Sequence, residues 1–329
     1  MFFRINHTHK NLIQKQITQE FGRESSCVPL GEGTENQNFL MNHTSVLRVL
    51  FIDQNSPLYD SATAYLAREI NFANALFEAQ INPLHYKCFK NKQQLLDLPT
   101  DDGTLYFLQY DWIPGNFLTY TSRNIQQLAQ MMGACHKTAQ KLSQTSAIPD
   151  IPVYDALPSS LHYRAFAYDP TLAETIDNYA FYWRIFQENT QLLSCYRRQQ
   201  PNHLIHCDLH RKNILTTDHN MAIIDFGDTR LSVRAEDIGT CFWGMGLEIK
   251  NLEMFDSLTQ DFWTAYPKVL SESEKVYCLR FALQRFLDIH LFYLKENLSS
   301  TPKMTYQTEK FSKEQAIIDH LIAVIAGRK

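Results

Sequence analysis

The chain has 329 residues, 44% hydrophobic and 20% charged, with a formal net charge of −4. That is an ordinary globular composition, long enough for about two domains, and it excludes a disordered chain. So mild an acidic balance gives no overall field for gripping a nucleic-acid backbone, and 11 glycines suit a helix-rich chain better than a barrel or sandwich.

The first third is mixed. Short apolar or alternating runs between turn residues predict strands at Cys27–Gly31, Gln37–Met41 and Ser45–Ile52. The period then changes: Leu66, Ile70, Ala73, Leu76 and Phe77 recur at helical spacing within Tyr59–Ala79, closed by Pro83. Three more strands are predicted at His85–Lys90, Gln94–Leu98 and, after a D-D-G turn, Leu105–Tyr110. A punctuated link, Trp112-Ile113-Pro114-Gly115, follows. From Ser122 onward helices dominate: an apolar stripe of Ile125, Leu128, Ala129, Met132 and Cys135, then Leu157–Arg198, Leu252–Tyr266, Glu272–Leu298 and Ser312–Gly327. Between helical blocks, Ile214–Leu215 and Met221–Phe226 form two short apolar strands. The expected organisation is α+β and bilobal, with a small β-rich lobe over residues 1–111 and a larger helical lobe over 112–329.

The opening MFFRINHTHK lacks the apolar stretch of a signal peptide, and the run Leu321–Ala326 is far short of the ~20 residues of a membrane span. Seven cysteines form no C-x-x-C pair and read as reduced thiols. The expectation is a soluble cytoplasmic protein with neither membrane nor nucleic acid as partner.

Chemistry concentrates in one island. His206-Cys207-Asp208-Leu209-His210-Arg211-Lys212-Asn213 is followed by Ala222-Ile223-Ile224-Asp225-Phe226-Gly227. This is H-x-D-x-x-x-x-N, a hairpin, then an apolar run into D-F-G. Phosphoryl transfer needs one carboxylate near the attacking hydroxyl, and an amide oxygen plus a second carboxylate to hold magnesium against phosphates. Asp208, Asn213 and Asp225 are that set. Zinc at His203, His206, Cys207 and His210 is disfavoured by spacing.

The island resembles the protein-kinase-like superfamily, and within it the aminoglycoside phosphotransferase and choline kinase branch, whose loop commonly reads H-G-D-x-H-x-x-N. The resemblance implies a bilobal kinase-like fold and an ATP- and Mg2+-dependent phosphotransferase acting on a small-molecule hydroxyl. It implies Asp208 as catalytic base, Asn213 and Asp225 as magnesium ligands, His206 as a brace of the loop and Asp237 as a structural partner of its backbone. Cys207 departs from the branch's Gly. Lys212 stands where tyrosine protein kinases carry an Arg near the catalytic Asp. It is a catalytic candidate for reaching the γ-phosphate, with a solvated loop lysine as the other reading.

On the nucleotide side, Gly31 and Gly33 lie in a loop between predicted strands, expected to cover phosphates. Arg48, in Val46-Leu47-Arg48-Val49-Leu50, takes the place of the kinase lysine, with Glu69 on the following helix as its anchor. Gln109 and Asp111 fall where a hinge strand would meet adenine. Residues 225–275 hold ten acidic side chains against five basic ones, together with several aromatics. Such walls suit a cationic acceptor, an amino sugar or amino alcohol; a solvated helix face over core aromatics is the other reading. A protein Ser/Thr kinase and a nucleotide-binding pseudokinase are the alternative functions. The absence of an A-P-E segment opposes the first, and the intact Asp208, Asn213 and Asp225 oppose the second.

Overall fold

The computed structural model describes residues 5–32, 36–56, 58–143, 178–217, 220–298 and 304–327. An antiparallel sheet of five strands is built in the order β1 (Cys27–Glu32), β2 (Asn36–Met41), β3 (Ser45–Asp53), β5 (Gly103–Asp111), β4 (Leu95–Pro99). β3 is buried on both faces, so its apolar run is nearly continuous. Alternation puts Leu47, Val49 and Phe51 in a small cluster beneath α1 (His7–Phe21), and Leu50 and Ile52 in the main core with α2 (Ala62–Glu78). Arg48 shares the α2 face, and that places a cation inside the molecule.

Two local readings needed tertiary context. α1 has no clear apolar stripe in the sequence, because its buried side is narrow: His9, Ile13 and Ile17. The helix starts at a capping box in which Asn6 Oδ1 accepts from the His9 N–H (2.9 Å) and His9 Nδ1 accepts from the Asn6 N–H (3.3 Å). The strand expected at His85–Lys90 is absent. Only one bridge, Tyr86 to Tyr110, forms there, because side chains take up the Tyr86 backbone: Asn74 accepts from its N–H and Gln94 donates to its carbonyl.

The helical part comprises, among the described residues, α3 (Ser122–Ser143), α4 (Tyr179–Gln199), α5 (Arg234–Glu248), α6 (Leu252–Ala265), α7 (Glu272–Leu298) and α8 (Met304–Gly327). The part of the expected Leu157–Arg198 helix before residue 178 lies outside the described residues, and α8 begins earlier than its expected start at Ser312. One apolar core runs from the α2 face of the sheet through these helices to Ile325. No described helix is long and apolar enough to cross a membrane.

Set between the two parts are the antiparallel ribbon β7 (His203–Ile205) with β10 (Arg230–Ser232), and the hairpin β8 (Ile214–Thr216) with β9 (Met221–Ile223), edged by β6 (Asn116–Phe117). The strand expected over Met221–Phe226 stops at Ile223. Asp225 is left-handed (φ 60°), and Phe226–Asp228 close as a single 3-10 turn.

Candidate active site

The loop from His206 to Asn213 is braced from three directions. His206 is buried; its Nδ1 accepts from the Asp208 N–H (3.3 Å), so its Nε2–H donates to the Ile224 carbonyl (3.1 Å). Burial lowers its pKa against the pull of Asp237, Asp208 and Asp225, which suits the neutral tautomer these bonds require. Cys207 is left-handed (φ 66°), a conformation that costs a residue with a Cβ. Its N–H donates to Asp237 Oδ1 (2.8 Å), Asp237 Oδ2 accepts from His136 (2.9 Å), and His136 Nδ1 accepts from the Tyr266 hydroxyl (2.7 Å). This relay ties the loop to α5, α3 and the end of α6. Gly244 of α5 completes the seat, since a Cβ there would lie 2.7 Å from the His210 Cβ.

Asp208 emerges from this frame with its carboxylate gripped. Asn213 Nδ2 donates to its Oδ2 (2.8 Å) and to its backbone carbonyl (2.9 Å). His210 Nε2 lies 3.3 Å from Oδ2, and Arg285 Nη2 lies 3.5 Å from Oδ1. Burial alone would raise the Asp208 carboxyl; the hydrogen bond and charge of His210, and the charge of Arg285, outweigh it and hold the group at about 2. Arg285 comes from α7, 77 positions beyond Asp208, and stacks over the Trp243 ring at 4.9 Å. Arg285 carries no motif signal, and only the packing of α7 on the loop brings it in; His210 stands at the second His of the branch's H-G-D-x-H-x-x-N loop.

Asp225 is presented differently. Its side chain is 44% exposed, with Arg48 Nη1 at 3.3 Å. The same nitrogen donates to Glu69 Oε1 at 2.6 Å, and the Tyr86 hydroxyl donates to that oxygen as well. Arg48 and Glu69, 21 residues apart, therefore meet as a buried pair. Burial opposes the charge on Arg48, but Glu69 and Asp225 hold it firmly cationic. With its amide oxygen turned to the guanidinium, Asn36 accepts from Arg48 Nε and Nη2 at 3.1 and 3.2 Å. Gly227 makes room for all this, since a Cβ on it would sit 2.5 Å from Arg48 Nη2.

The remaining expected site residues are placed as follows. Gly31 lies where β1 shifts register against β2, between Pro29 and Glu32; Gly33 lies outside the described residues. Gln109 gives its amide to Ser45 and its carbonyl to the Lys87 N–H, and Asp111 pairs with Lys87 Nζ at 2.6 Å. Both side chains thus serve the sheet edge. Lys212 is exposed in the turn between His210 and Asn213, whereas Arg285 is the cation beside Asp208. With Nδ2 committed to Asp208, Asn213 keeps its amide oxygen, and Asp225 keeps its half-exposed carboxylate. These two hard oxygens fit a magnesium ion that retains water and phosphate ligands. Among the described residues no three His, Cys, Asp or Glu side chains cluster as a metal site.

Part of the acidic surplus of residues 225–275 is paired: Glu236 is held by Arg197 and Arg230, Glu248 by Arg211, Asp256 by His320, and Glu274 by Arg234. Phe242, Phe255 and Phe262 are core residues. Glu253 and Asp256 are exposed on α6, a solvated helix face over core aromatics.

Residues 26–270 match the pattern of the phosphotransferase enzyme family, APH. The chain belongs to that family. Its activity is accordingly that of a phosphotransferase, a kinase acting on a hydroxyl group. Similar solved structures include an amicoumacin kinase in complex with AMP-PNP, Ca2+ and Ami (TM-score 0.71, 13% identity, covering 94% of this chain and 93% of that one). A microcompartment-associated aminopropanol kinase matches with TM-score 0.71 and 16% identity over 97% of this chain and 98% of its own. The Plasmodium vivax ethanolamine kinase matches with TM-score 0.56 and 13% identity over 98% and 91%. At these identities the shared property is the kinase-like fold, with its β-sheet N-terminal region and helical C-terminal region. Comparison with curated proteins finds no match.

Proposed function

We propose that this phosphotransferase moves the γ-phosphoryl group of ATP, with Mg2+, to a hydroxyl of a small molecule. The observation that carries the reading is the pair of unlike carboxylates: Asp208 fixed by Asn213, His210 and Arg285, and Asp225 half-exposed beside Arg48. Residues 1–111 serve as the nucleotide-binding lobe, with Arg48 reaching the phosphates, and residues 112–329 hold the loop and the acceptor. Asn213 and Asp225 would hold Mg2+, which when bound neutralises charge on the phosphate oxygens.

Asp208 Oδ2 is occupied by Asn213 and His210, so Oδ1 orients the acceptor hydroxyl and takes its proton. The acceptor oxygen bonds to the γ-phosphorus as the bond to the β-γ bridging oxygen breaks. A carboxyl held near 2 is a weak base, and that fits a loose transition state in which positioning matters more than early proton removal. An amine-bearing acceptor draws support from the structural neighbours, kinases of amicoumacin, aminopropanol and ethanolamine. The twelve residues from Asp225 to Asp237 are taken up by the 3-10 turn, β10 and the start of α5, and this compactness favours a small acceptor over a peptide.

The test is turnover of Mg·ATP against a panel of amino sugars, choline, ethanolamine, aminopropanol, homoserine and a generic protein. Phosphorylation of a small hydroxyl compound, lost in Asp208→Asn, is the expected result. Transfer to the protein alone would replace the reading with that of a protein kinase, and nucleotide binding without any turnover would replace it with that of a pseudokinase.

A further inference from the structure

α2 ends at Glu78, and the chain turns back through Gln80, which is left-handed (φ 58°). The Ile81 and Asn82 N–H groups both return to the Leu76 carbonyl, at 2.9 and 3.3 Å, so the backbone of Asn82 is fixed to the last turn of α2. Its side chain, on a residue only 2% exposed, reaches across 141 positions of sequence. Nδ2 donates to the Ile223 carbonyl and Oδ1 accepts from the Ile223 N–H, each at 2.9 Å. One primary amide thereby imitates a neighbouring strand. The Ile224 N–H is bonded to Asn213, on the β8 side, so Ile223 turns its backbone groups to the outer edge of β9. A buried strand edge needs partners for those groups, and Asn82 supplies both.

We infer that Asn82 is a positioning residue of the phosphoryl-transfer site, clamping the helix that carries Glu69 to the strand that delivers Asp225. The contacts close a ring. Asn82 holds Ile223; two residues on, Asp225 faces Arg48; Arg48 holds Glu69; and Glu69 lies on the helix whose last turn fixes Asn82. The Arg48 guanidinium answers to both sides of the ring at once. If the clamp opens, Arg48 keeps Glu69 and loses its fixed relation to Asp225, and the cation and the metal-holding carboxylate no longer address one set of phosphates. The partners of Asp208 come from the loop and α7, outside this ring, so the acceptor side is untouched. The inference rests on the nucleotide reading given above.

The experiment compares Asn82→Leu, which removes both bonds, and Asn82→Asp, which keeps only the acceptor for the Ile223 N–H, with wild type. Leu321→Ala, a buried α8 position remote from the site, serves as a control for lost stability. Affinity for Mg·AMP-PNP is measured by calorimetry. Binding should weaken by about 2- to 30-fold in the Asn82 variants, the scale of a coupling through neighbouring contacts. The Leu321→Ala control should bind as wild type does at equal loss of Tm. A double-mutant cycle with Arg48→Lys should be less than additive, because both changes open one ring. Should Asn82→Leu fail to fold, Asn82→Asp and hydrogen exchange on wild type decide the matter: Mg·AMP-PNP should slow exchange over residues 80–83 and 221–225 together. Equal affinity in folded Asn82 variants, additivity with Arg48→Lys, or protection of 221–225 alone would overturn the clamp. If wild type bound no nucleotide, the functional reading itself would fall, and the clamp's role with it.

Discussion

The catalytic loop, residues 206–213, and the turn at 223–228 each present one carboxylate, and they do so by opposite means. Asp208 is held by its side chain: an amide, an imidazole and a guanidinium surround it, and its charge is settled before any ligand arrives. Asp225 is held by its backbone. His206 and Asn213 fix Ile224, Asn82 fixes Ile223, and the carboxylate that follows is left half-exposed beside Arg48. The contrast teaches where preorganisation is needed. A group that must orient one hydroxyl loses efficiency if it moves, whereas a metal ligand must leave its oxygens accessible and needs only a well-aimed main chain.

The largest break in that comparison is Asp208→Asn. The amide keeps shape but cannot take a proton, and turnover should fall by about 10²–10⁴-fold. Affinity for Mg·AMP-PNP should stay within a factor of a few, because in the proposed site Arg48, Asn213 and Asp225, not Asp208, hold the nucleotide. Single-turnover transfer alongside calorimetry checks both halves.

Next come the two partners of Arg48. Removing the buried one, Glu69→Ala, leaves a buried guanidinium without its closest counter-charge and should cost about 3–5 kcal/mol in denaturant unfolding. Asp225→Ala should change stability far less, since its carboxylate is half in solvent, yet it should abolish the metal-dependent part of nucleotide binding. Equal stability losses would mean that the turn is held by its carboxylate after all.

A third prediction concerns pH. Asp288 on α7 is pushed up to about 7, by burial first, against the charges of Arg285 and Arg197. An unfolded aspartate ionises near 3.8 while the folded one stays protonated, so stability should decline as pH rises from about 4 to 7 and then level off. Asp288→Asn should remove that decline. Tm measured across the range tests it, and an unchanged slope would place the titrating group elsewhere.

The smallest effect is expected at Lys212. Exposed on the loop, Lys212→Ala should alter kcat/KM by less than Arg285→Met, which strips a cation from beside Asp208. The reverse order would restore the loop lysine as the working charge.

Much of the geometry was legible because it is local. The spacing of Asp208, Asn213 and Asp225 is set by one loop and one hairpin, so their juxtaposition follows from covalent connectivity. The pairing of Arg48 with Glu69 is what the kinase resemblance implies, with a Glu on the helix after the strand anchoring the strand's cation. Gln109 lies on the strand expected at Leu105–Tyr110 and Asp111 just at its end, but the engagement of Gln109 with Ser45 and of Asp111 with Lys87 depends on cross-strand neighbours that periodicity cannot name. The acidic segment shows a related limit: composition counts charges but does not say which ones already have partners.

By itself, then, the sequence determined most of the strands and helices and the loop that carries Asp208, because backbone propensity and short-range spacing act within a few residues of chain; α1 and the turn that carries Asp225 lay beyond it. The tertiary structure alone decided that Arg285 from α7 would stand against Asp208, that Glu236, Glu248 and Glu274 would be paired with arginines, and that the amide of Asn82 would complete the edge of β9. Apart from Arg230 with Glu236, six positions apart, these contacts join residues 37 to 141 positions apart. Such contacts form only when buried polar groups must find partners among whatever the packed core brings near, and no local pattern in the chain records that choice.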